Sequence, residues 1–374
     1  MKTIIIESQF LVRHKNPEQG IIVGGSQRYA IELAKIFKEL DYNVVFATKS
    51  EKNYTFELDG IGKVLCLKSK KGFFGDRQFA KKIVKIAKTE QASIVCYSDA
   101  LLGIHKVFKN SFALQHGIAW DNPKERLHVM LNNFLYKKAV MSFKRVICVD
   151  TNFINWMREK SVGYFKNPSK LIYIPNFADE KVFQYKFQKW DIDKQKILFF
   201  PRRFVEKRGY SLFLETCSEL KNKGLEFKVR IASEDFKEDA IYKVLDSYNL
   251  KDLDVEVVHP NFDEIGLMYR DAFLTFIPTI WSEGTSLSAI ESIMCGCPVI
   301  ATNVGGLGNI VIPDFNGSIV EPTVNALVNT TIKYFNNIGK RDVESSNCGF
   351  MVDIFKKQKW KERVLESIKE LIDD

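Results

Sequence analysis

The sequence predicts an α/β protein of two Rossmann-like, doubly wound parallel-sheet domains, and three observations carry that prediction. Short β-rich runs alternate with helical patterns along all 374 residues, the order that parallel sheets covered by helices produce. The alternation breaks once, through the polar and aromatic stretch 176–194, so the runs form two series. No run of 18 apolar residues intervenes, so no membrane-spanning helix is expected. Ligands of such sheets sit beyond the carboxyl ends of strands. The chemistry is therefore expected in post-strand loops, facing across a cleft between the domains.

In the first series the expected strands are 3–6, 43–48, 63–67, 93–97, 111–115, 145–149 and 171–174. After the first strand, the stretch 20–26 (GIIVGGS) brings Gly24 and Gly25 before an amphipathic helix whose apolar face is Ala30, Leu33, Ala34, Phe37 and Leu40. The glycine pair reads equally as a tight turn or as a place where backbone approaches a ligand. His116 follows the strand 111–115 directly and precedes Gly117. It is placed to touch a ligand, with a structural hydrogen bond as the plainer alternative.

The second series has strands 196–200, 227–232, 255–258, 274–277, 299–302 and 318–320. Its first strand runs into Pro201-Arg202-Arg203-Phe204-Val205-Glu206-Lys207-Arg208-Gly209, a cationic loop suited to phosphate or simply solvated. Its strand at 274–277 runs into the most informative stretch of the chain, Trp281-Ser282-Glu283-Gly284-Thr285-Ser286-Leu287-Ser288-Ala289-Ile290-Glu291. Ser286 is a good helix N-cap, and Leu287, Ile290 and Met294 then share one apolar helical face. Glu283 thus lies in the loop and Glu291 a turn or so into the helix. The amides of Thr285, Ser286 and Leu287 mark a helix start, which favours phosphate. Carboxylates beside it call for hydrogen-bond donors such as sugar hydroxyls. Phosphate and hydroxyls together describe a nucleotide sugar.

Composition bounds the remaining possibilities. Hydrophobic residues make up 45% of the chain, ordinary for globular folds. The seven cysteines are odd in number and scattered, which suits buried thiols better than disulfides or zinc. With no signal-peptide pattern at the start, a cytoplasmic protein is expected. Residues 1–175 hold 29 Lys and Arg against 15 Asp and Glu, while the remainder holds 26 against 31. Such asymmetry points to an interaction surface on the first half. Its basic clusters, around Lys70, Lys71, Lys81 and Lys82 and around Lys137 and Lys138, keep company with Phe73, Phe74 and Phe134. That pairing suits an anionic membrane surface, with solvated lysine-rich helix faces as the plainer alternative; nucleic acid fits less well, since no recognised motif is present.

The composite EGTSLSAIE…GCPVIATNVGG resembles the Glu-x7-Glu signature of retaining glycosyltransferases of family 4, which have the GT-B fold. The resemblance extends to Gly24-Gly25, to His116-Gly117, to the Pro-Asn-x-x-Asp element at 175–179 and to the final segment FKKQKWKERVLESIKEL. It implies an N-terminal acceptor-binding domain over 1–175, a linker over 176–194 and a nucleotide-sugar-binding domain over 195–350. The helix at 351–374 would return to the first domain. The implied reaction moves a sugar from a nucleoside diphosphate sugar to an acceptor hydroxyl with retention, in the synthesis of cell-surface polysaccharide, lipopolysaccharide or glycolipid. Glu283 would hold the transferred sugar and Glu291 the ribose. His116 would touch the sugar, and Gly25, Gly284, Thr285, Ser286 and Leu287 would approach the donor. Aligned on Gly209, Arg203 takes the family's arginine position and Arg208 its lysine position, with Arg202 where the family has glycine. Whether Lys207 or Arg208 meets the diphosphate stays open. No cofactor and no metal are expected, because no convincing Asp-x-Asp dyad is present. The acceptor would be a sugar or a lipid-linked saccharide. Two other classes remain: a Rossmann-type oxidoreductase, although GIIVGGS lacks the G-x-G-x-x-G spacing, and a non-catalytic sugar-nucleotide-binding protein.

Overall fold

The computed structural model describes residues 1–373 apart from 23, 123, 161–169, 188, 233–237 and 251. Val23 of the glycine-rich stretch and Asp374 at the end of the returning helix therefore lie outside the described residues. The chain divides into two compact units. One comprises Met1–His116, Pro123–Ile174 and Lys361–Asp374, the other Gly117–Asn122 and Pro175–Trp360.

The first unit is built on eight strands: β1 (Thr3–Glu7), β2 (Asn43–Ser50), β3 (Tyr54–Leu58), β4 (Gly62–Lys68), β5 (Ala92–Tyr97), β6 (Ser111–Gln115), β7 (Arg145–Cys148) and β8 (Leu171–Tyr173). They lie in the order β3-β4-β2-β1-β5-β6-β7-β8. All neighbours run parallel except β3, which pairs antiparallel with β4. β1 is wholly buried at the centre, Ile4 opposite Val44 on one side and Ile94 on the other. Its helices are α1 (Gly25–Glu39), α2 (Phe73–Thr89), α3 (Arg126–Ala139) and α4 (Thr151–Lys160). β3 is the one strand that the sequence reading lacks. It is a largely exposed edge strand, tied to β4 by a turn in which Gly60 has φ +69°.

The second unit has six parallel strands: β9 (Ile197–Phe200), β10 (Lys228–Ala232), β11 (Val255–Val258), β12 (Leu274–Ile277), β13 (Val299–Thr302) and β14 (Gly317–Val320). Their order is β11-β10-β9-β12-β13-β14. Numbered within the unit this is 3-2-1-4-5-6, the Rossmann order, whose switch point falls between β9 and β12. Its helices are α5 (Tyr210–Asn222), α6 (Glu238–Ser247), α7 (Ile265–Asp271), α8 (Leu287–Met294), α9 (Val324–Asn336) and α10 (Ile338–Phe355). Successive β9 residues serve opposite faces: Leu198 and Phe200 join one buried cluster with Phe213 and Phe276, and Phe199 joins another with Ile290 and Met294.

Two helices end the chain, α11 (Lys357–Ser367) and α12 (Lys369–Asp373). The five apolar anchors read from the sequence, Phe355, Trp360, Val364, Ile368 and Leu371, are all buried. The last turns are tied into the first unit by Lys2 donating to the Ile372 carbonyl at 2.7 Å and by the Arg145–Glu370 ion pair at 2.8 Å. All seven cysteines are buried free thiols. Among the described residues no helix is long and apolar enough to cross a membrane.

Candidate active site

The switch point of the second sheet places two loops side by side, 201–209 after β9 and 278–286 after β12. The second loop ends in α8, whose N-cap is Ser286: its Oγ accepts from the Ala289 amide at 3.4 Å. Every residue of α8 from Ala289 to Met294 is buried, so the helix start is fixed by packing as well as by its cap. Asn176 steadies the residue before the cap, its backbone amide donating to Thr285 Oγ1 at 3.1 Å and its side-chain amide to the Thr285 carbonyl at 2.6 Å.

Glu283 is the centre of this arrangement. It is only 6% exposed, and three donors converge on its Oε2. Arg202 Nη2 and Arg208 Nη1 each lie 2.5 Å away, and Thr279 Oγ1 lies 2.8 Å away. Burial by itself would raise this carboxyl, but the two guanidiniums overcome it and hold Glu283 below the usual carboxylate range. Arg202 also donates to Ser286 Oγ at 2.5 Å. Burial pulls the Arg202 guanidinium down, and the Glu283 charge opposes that. Arg208 reaches the Ser282 carbonyl at 3.3 Å as well.

The backbone is shaped to permit this. Ser282 has φ +63°, a conformation uncommon outside glycine. Its amide donates to Asp121 Oδ2 at 3.3 Å, and burial raises that carboxyl. Gly305, after β13, has φ +56°, and a Cβ there would lie 2.0 Å from the Glu283 carbonyl oxygen. The Gly306 amide donates to that same carbonyl at 3.1 Å. Gly209, with φ +76°, leaves no room for a Cβ, which would stand 1.8 Å from the Pro278 carbonyl oxygen. Glycines at these positions therefore let three loops meet around Glu283.

Four cations, Arg202, Arg203, Lys207 and Arg208, come from one loop, and two of them, Arg202 and Arg208, bond the one carboxylate. Arg203 is exposed, whereas Lys207 is half-buried. Burial and then the charges of Arg208 and Arg203 push the Lys207 ammonium down. The excess of positive charge beside a helix N-terminus is an arrangement that an anion would stabilise. Glu291 is 8% exposed, on the second turn of α8, and accepts a hydrogen bond from Tyr269 Oη at 2.9 Å. Gly284 and Leu287 flank the capped helix start and are half-buried.

The remaining sequence candidates lie in the first unit. Gly25 is the first residue of α1. His116 follows β6, and its ring meets Tyr29 of α1 edge-on at 5.5 Å. Burial pushes the imidazole down to about 4, so it is neutral at pH 7, and its Nε2 is a buried atom without a hydrogen-bond partner.

The structure thus brings together Glu283, Arg208, Thr285 and Ser286. It sets Arg202, not Arg203, on the carboxylate. The sequence reading missed Thr279 and Asp121, and it did not put Arg202 on the carboxylate or Asn176 on Thr285. The Pro-Asn-x-x-Asp element at 175–179 and the ATNVGG end of the composite motif are the sequence signals for Asn176 and Gly305.

The sequence profile of glycosyl transferases group 1 matches residues 182–347, a span that contains both loops and both glutamates. Residues 182–347 are thus similar in sequence to the glycosyl transferases of group 1. It is 26% identical over 191 residues to an uncharacterized glycosyltransferase of Methanocaldococcus jannaschii, covering 50% of this chain and 48% of that one. It is 26% identical over 251 residues to the UDP-Gal:alpha-D-GlcNAc-diphosphoundecaprenol alpha-1,3-galactosyltransferase of Escherichia coli, covering 62% of each. The chain therefore spans about half to three fifths of the length of these curated relatives. Among solved structures, Anabaena HepE in complex with UDP-glucose superposes with a TM-score of 0.71 at 14% identity, over 99% of this chain and 100% of that one. The fold is GT-B, as the sequence reading expected. Of the classes left open by the sequence, the glycosyltransferase is the one that the family match supports.

Proposed function

We propose that this chain is a group 1 glycosyltransferase that moves a hexose from a nucleoside diphosphate sugar to an acceptor hydroxyl, retaining the anomeric configuration and using no metal. One observation carries the reading: a buried, ionised Glu283 held by two guanidiniums beside the capped N-terminus of α8, within a loop that has positive charge to spare. As the glycosidic bond breaks, negative charge grows on the leaving diphosphate, and preorganised cations and helix amides stabilise that growth. Arg202 and Arg208 are engaged by Glu283, whereas Lys207 forms no ion pair among the described residues. Lys207, Arg203 and the start of α8 (Gly284 to Leu287) are therefore assigned to the diphosphate. The three hydrogen bonds to Glu283 all fall on Oε2, which directs Oε1 to hydroxyls of the transferred sugar. Glu291, backed by Tyr269, is assigned to the ribose. Neutral His116 and the α1 start at Gly25 are assigned to the sugar and the acceptor side. The names of the E. coli galactosyltransferase and the HepE complex support a uridine diphosphate sugar as donor and a lipid-linked saccharide as acceptor. Synthesis of a cell-surface polysaccharide, lipopolysaccharide or glycolipid would use that chemistry.

The test is a mass-shift assay over UDP-, GDP- and ADP-sugars against saccharide and lipid-diphosphate saccharide acceptors, repeated with EDTA. The expected result is one donor consumed, a product of unchanged anomeric configuration by NMR, and no loss with EDTA. Inversion would refute the retaining assignment, loss with EDTA would refute metal independence, and thermal stabilisation by NAD but by no nucleotide sugar would refute the donor class.

A further inference from the structure

Helix α3 is apolar on the side that faces away from its own unit. Its inward residues are Asn132, Tyr136 and Ala139, all buried. On the other side Leu127, Met130, Leu131 and Phe134 are 83%, 68%, 57% and 68% exposed. Their spacing of i, i+3, i+4 and i+7 makes one continuous stripe. A surface helix of a globular protein normally shows the reverse, and a contiguous exposed apolar patch marks an interaction surface.

A second apolar point stands beside it. Phe73 and Phe74, at the start of α2, are 53% and 76% exposed. Phe73 meets His105 ring to edge at 5.1 Å, and His105 ends the 3-10 turn Ala100–Ile104. The same turn packs against α3: a Cβ on Gly103 would lie 2.2 Å from the Ala139 carbonyl oxygen, and Ser142 Oγ donates to the Gly103 carbonyl at 2.6 Å. Both apolar features therefore border one turn of the first unit.

The charge around them is mostly positive, with Glu125 at the start of α3 and Asp76 at the start of α2 as exceptions. Lys70, Lys71, Arg77, Lys106, Arg126 and Lys138 are exposed, and none forms an ion pair among the described residues. They belong to the half of the chain with 29 basic and 15 acidic residues. An outward apolar stripe rimmed by unpaired cations matches an interfacial helix, which buries its apolar face at the headgroup boundary while its cations meet anionic lipid. We propose that the first unit docks on an anionic lipid bilayer through the α3 stripe, with Phe73 and Phe74 as a second insertion point. The inference concerns binding alone and stands whether or not the donor chemistry proposed above is correct.

The test is sedimentation of the full chain with vesicles of phosphatidylglycerol and phosphatidylcholine in equal parts, without donor. Binding is expected at low salt and is expected to weaken strongly near ~1 M, where the screening length shrinks to ~3 Å. Vesicles of phosphatidylcholine alone should bind far less. Replacing Leu127, Met130, Leu131 and Phe134 together by serine should lower partitioning at least about a hundredfold, since each large apolar side chain is worth about tenfold or more. Reversing Lys70, Lys71, Arg126 and Lys138 to glutamate should lower it about fivefold for each positive charge lost. Thermal unfolding should stay at the wild-type value, because these side chains are exposed. If the serine variant does not fold, Met130→Cys carrying an environment-sensitive fluorophore replaces it. All native thiols are buried, so labelling is selective, and a blue shift with anionic vesicles is expected. The proposal is overturned if the wild type ignores anionic vesicles, if the serine variant binds as well as wild type, or if the labelled helix shows no shift. It is equally overturned if lipid-free protein forms a dimer that the serine variant abolishes, since the stripe would then belong to a second copy.

Discussion

Removing the charge of Glu283 while keeping its shape tests whether the pairing at the switch point is energetically real. Glu283→Gln leaves two guanidiniums, Arg202 at 6% and Arg208 at 17% side-chain exposure, facing each other without their carboxylate. Breaking a buried ion pair from one side costs about 3–5 kcal/mol, because the surviving charge stays desolvated. Glutamine still accepts one hydrogen bond and Arg208 is partly solvated, so the lower end, about 3 kcal/mol, is expected. At ~2–4 °C per kcal/mol for a unit of this size, Tm should fall by roughly 6–12 °C. The assay is calorimetric or fluorimetric unfolding at pH 7, with and without UDP. A diphosphate placed among the orphaned cations should restore stability, about 2.7 kcal/mol at a hundred times its Kd. Adding Arg202→Met to Glu283→Gln should recover part of the loss, because one stranded charge is gone. The pH dependence has a definite sign. The Glu283 carboxyl is held below its unfolded value of 4.5, so the pair's contribution is present above that pH and is lost as pH falls through the lower folded value. A Tm within about a degree of wild type would refute the pairing, and a loss that saturating UDP does not recover would refute its place in the donor site.

Two further predictions follow from the same reading. Lys207→Ala should weaken UDP binding by roughly tenfold while leaving Tm nearly unchanged, whereas Arg208→Ala should lower both, as expected for a charge-assisted bond to a buried carboxylate; isothermal titration beside thermal unfolding separates them, and equal effects of the two variants would contradict the division of labour. In the first unit, burial and then the Asp99 charge push the Glu7 carboxyl from 4.5 up to about 8. Its contribution is therefore full below pH 4.5 and is lost as pH rises through about 8, so Glu7→Gln should flatten the stability profile across that window, and an unaltered profile would show that Glu7 does not titrate there.

Nearly every strand was legible in the sequence because a parallel sheet covered on both faces demands short continuous apolar runs. Segments such as Leu274–Ile277 and Val299–Thr302 have no other use. β3 escaped for the opposite reason. Tyr54–Leu58 is a largely exposed edge strand in which Tyr54, Phe56 and Leu58 alternate with polar residues instead of forming a continuous apolar run, and the Asp59-Gly60 pair, a known hairpin signal, marked its turn. At the site, Ser286 and the two glutamates were legible because capping chemistry and helix position are local properties. Asp121 was not, since its bond to the Ser282 amide joins residues 161 positions apart. Nor was the structural part of Asn176, whose two bonds to Thr285 span 109 positions.

Arg202 shows most clearly where sequence reasoning stops. It and Arg203 are adjacent and chemically identical, yet one is 7% exposed with its guanidinium on Glu283 and the other is exposed. In a strand with one wet face, alternation would tell them apart. β9 offers no such guide, because Leu198, Phe199 and Phe200 are all buried, on both faces of the sheet. The decision is made instead by what waits beyond the strand, where the desolvated carboxylate of Glu283 meets the Arg202 guanidinium. Arg202 is thus not a passive part of the loop. It contributes a second guanidinium to a carboxylate that burial alone would tend to protonate, and so keeps Glu283 charged and fixed in one orientation. On the function proposed above, that fixed charge is in place before a sugar hydroxyl arrives. A preorganised acceptor costs no reorganisation when it is used, whereas a mobile or protonated one would have to be charged and oriented during the reaction.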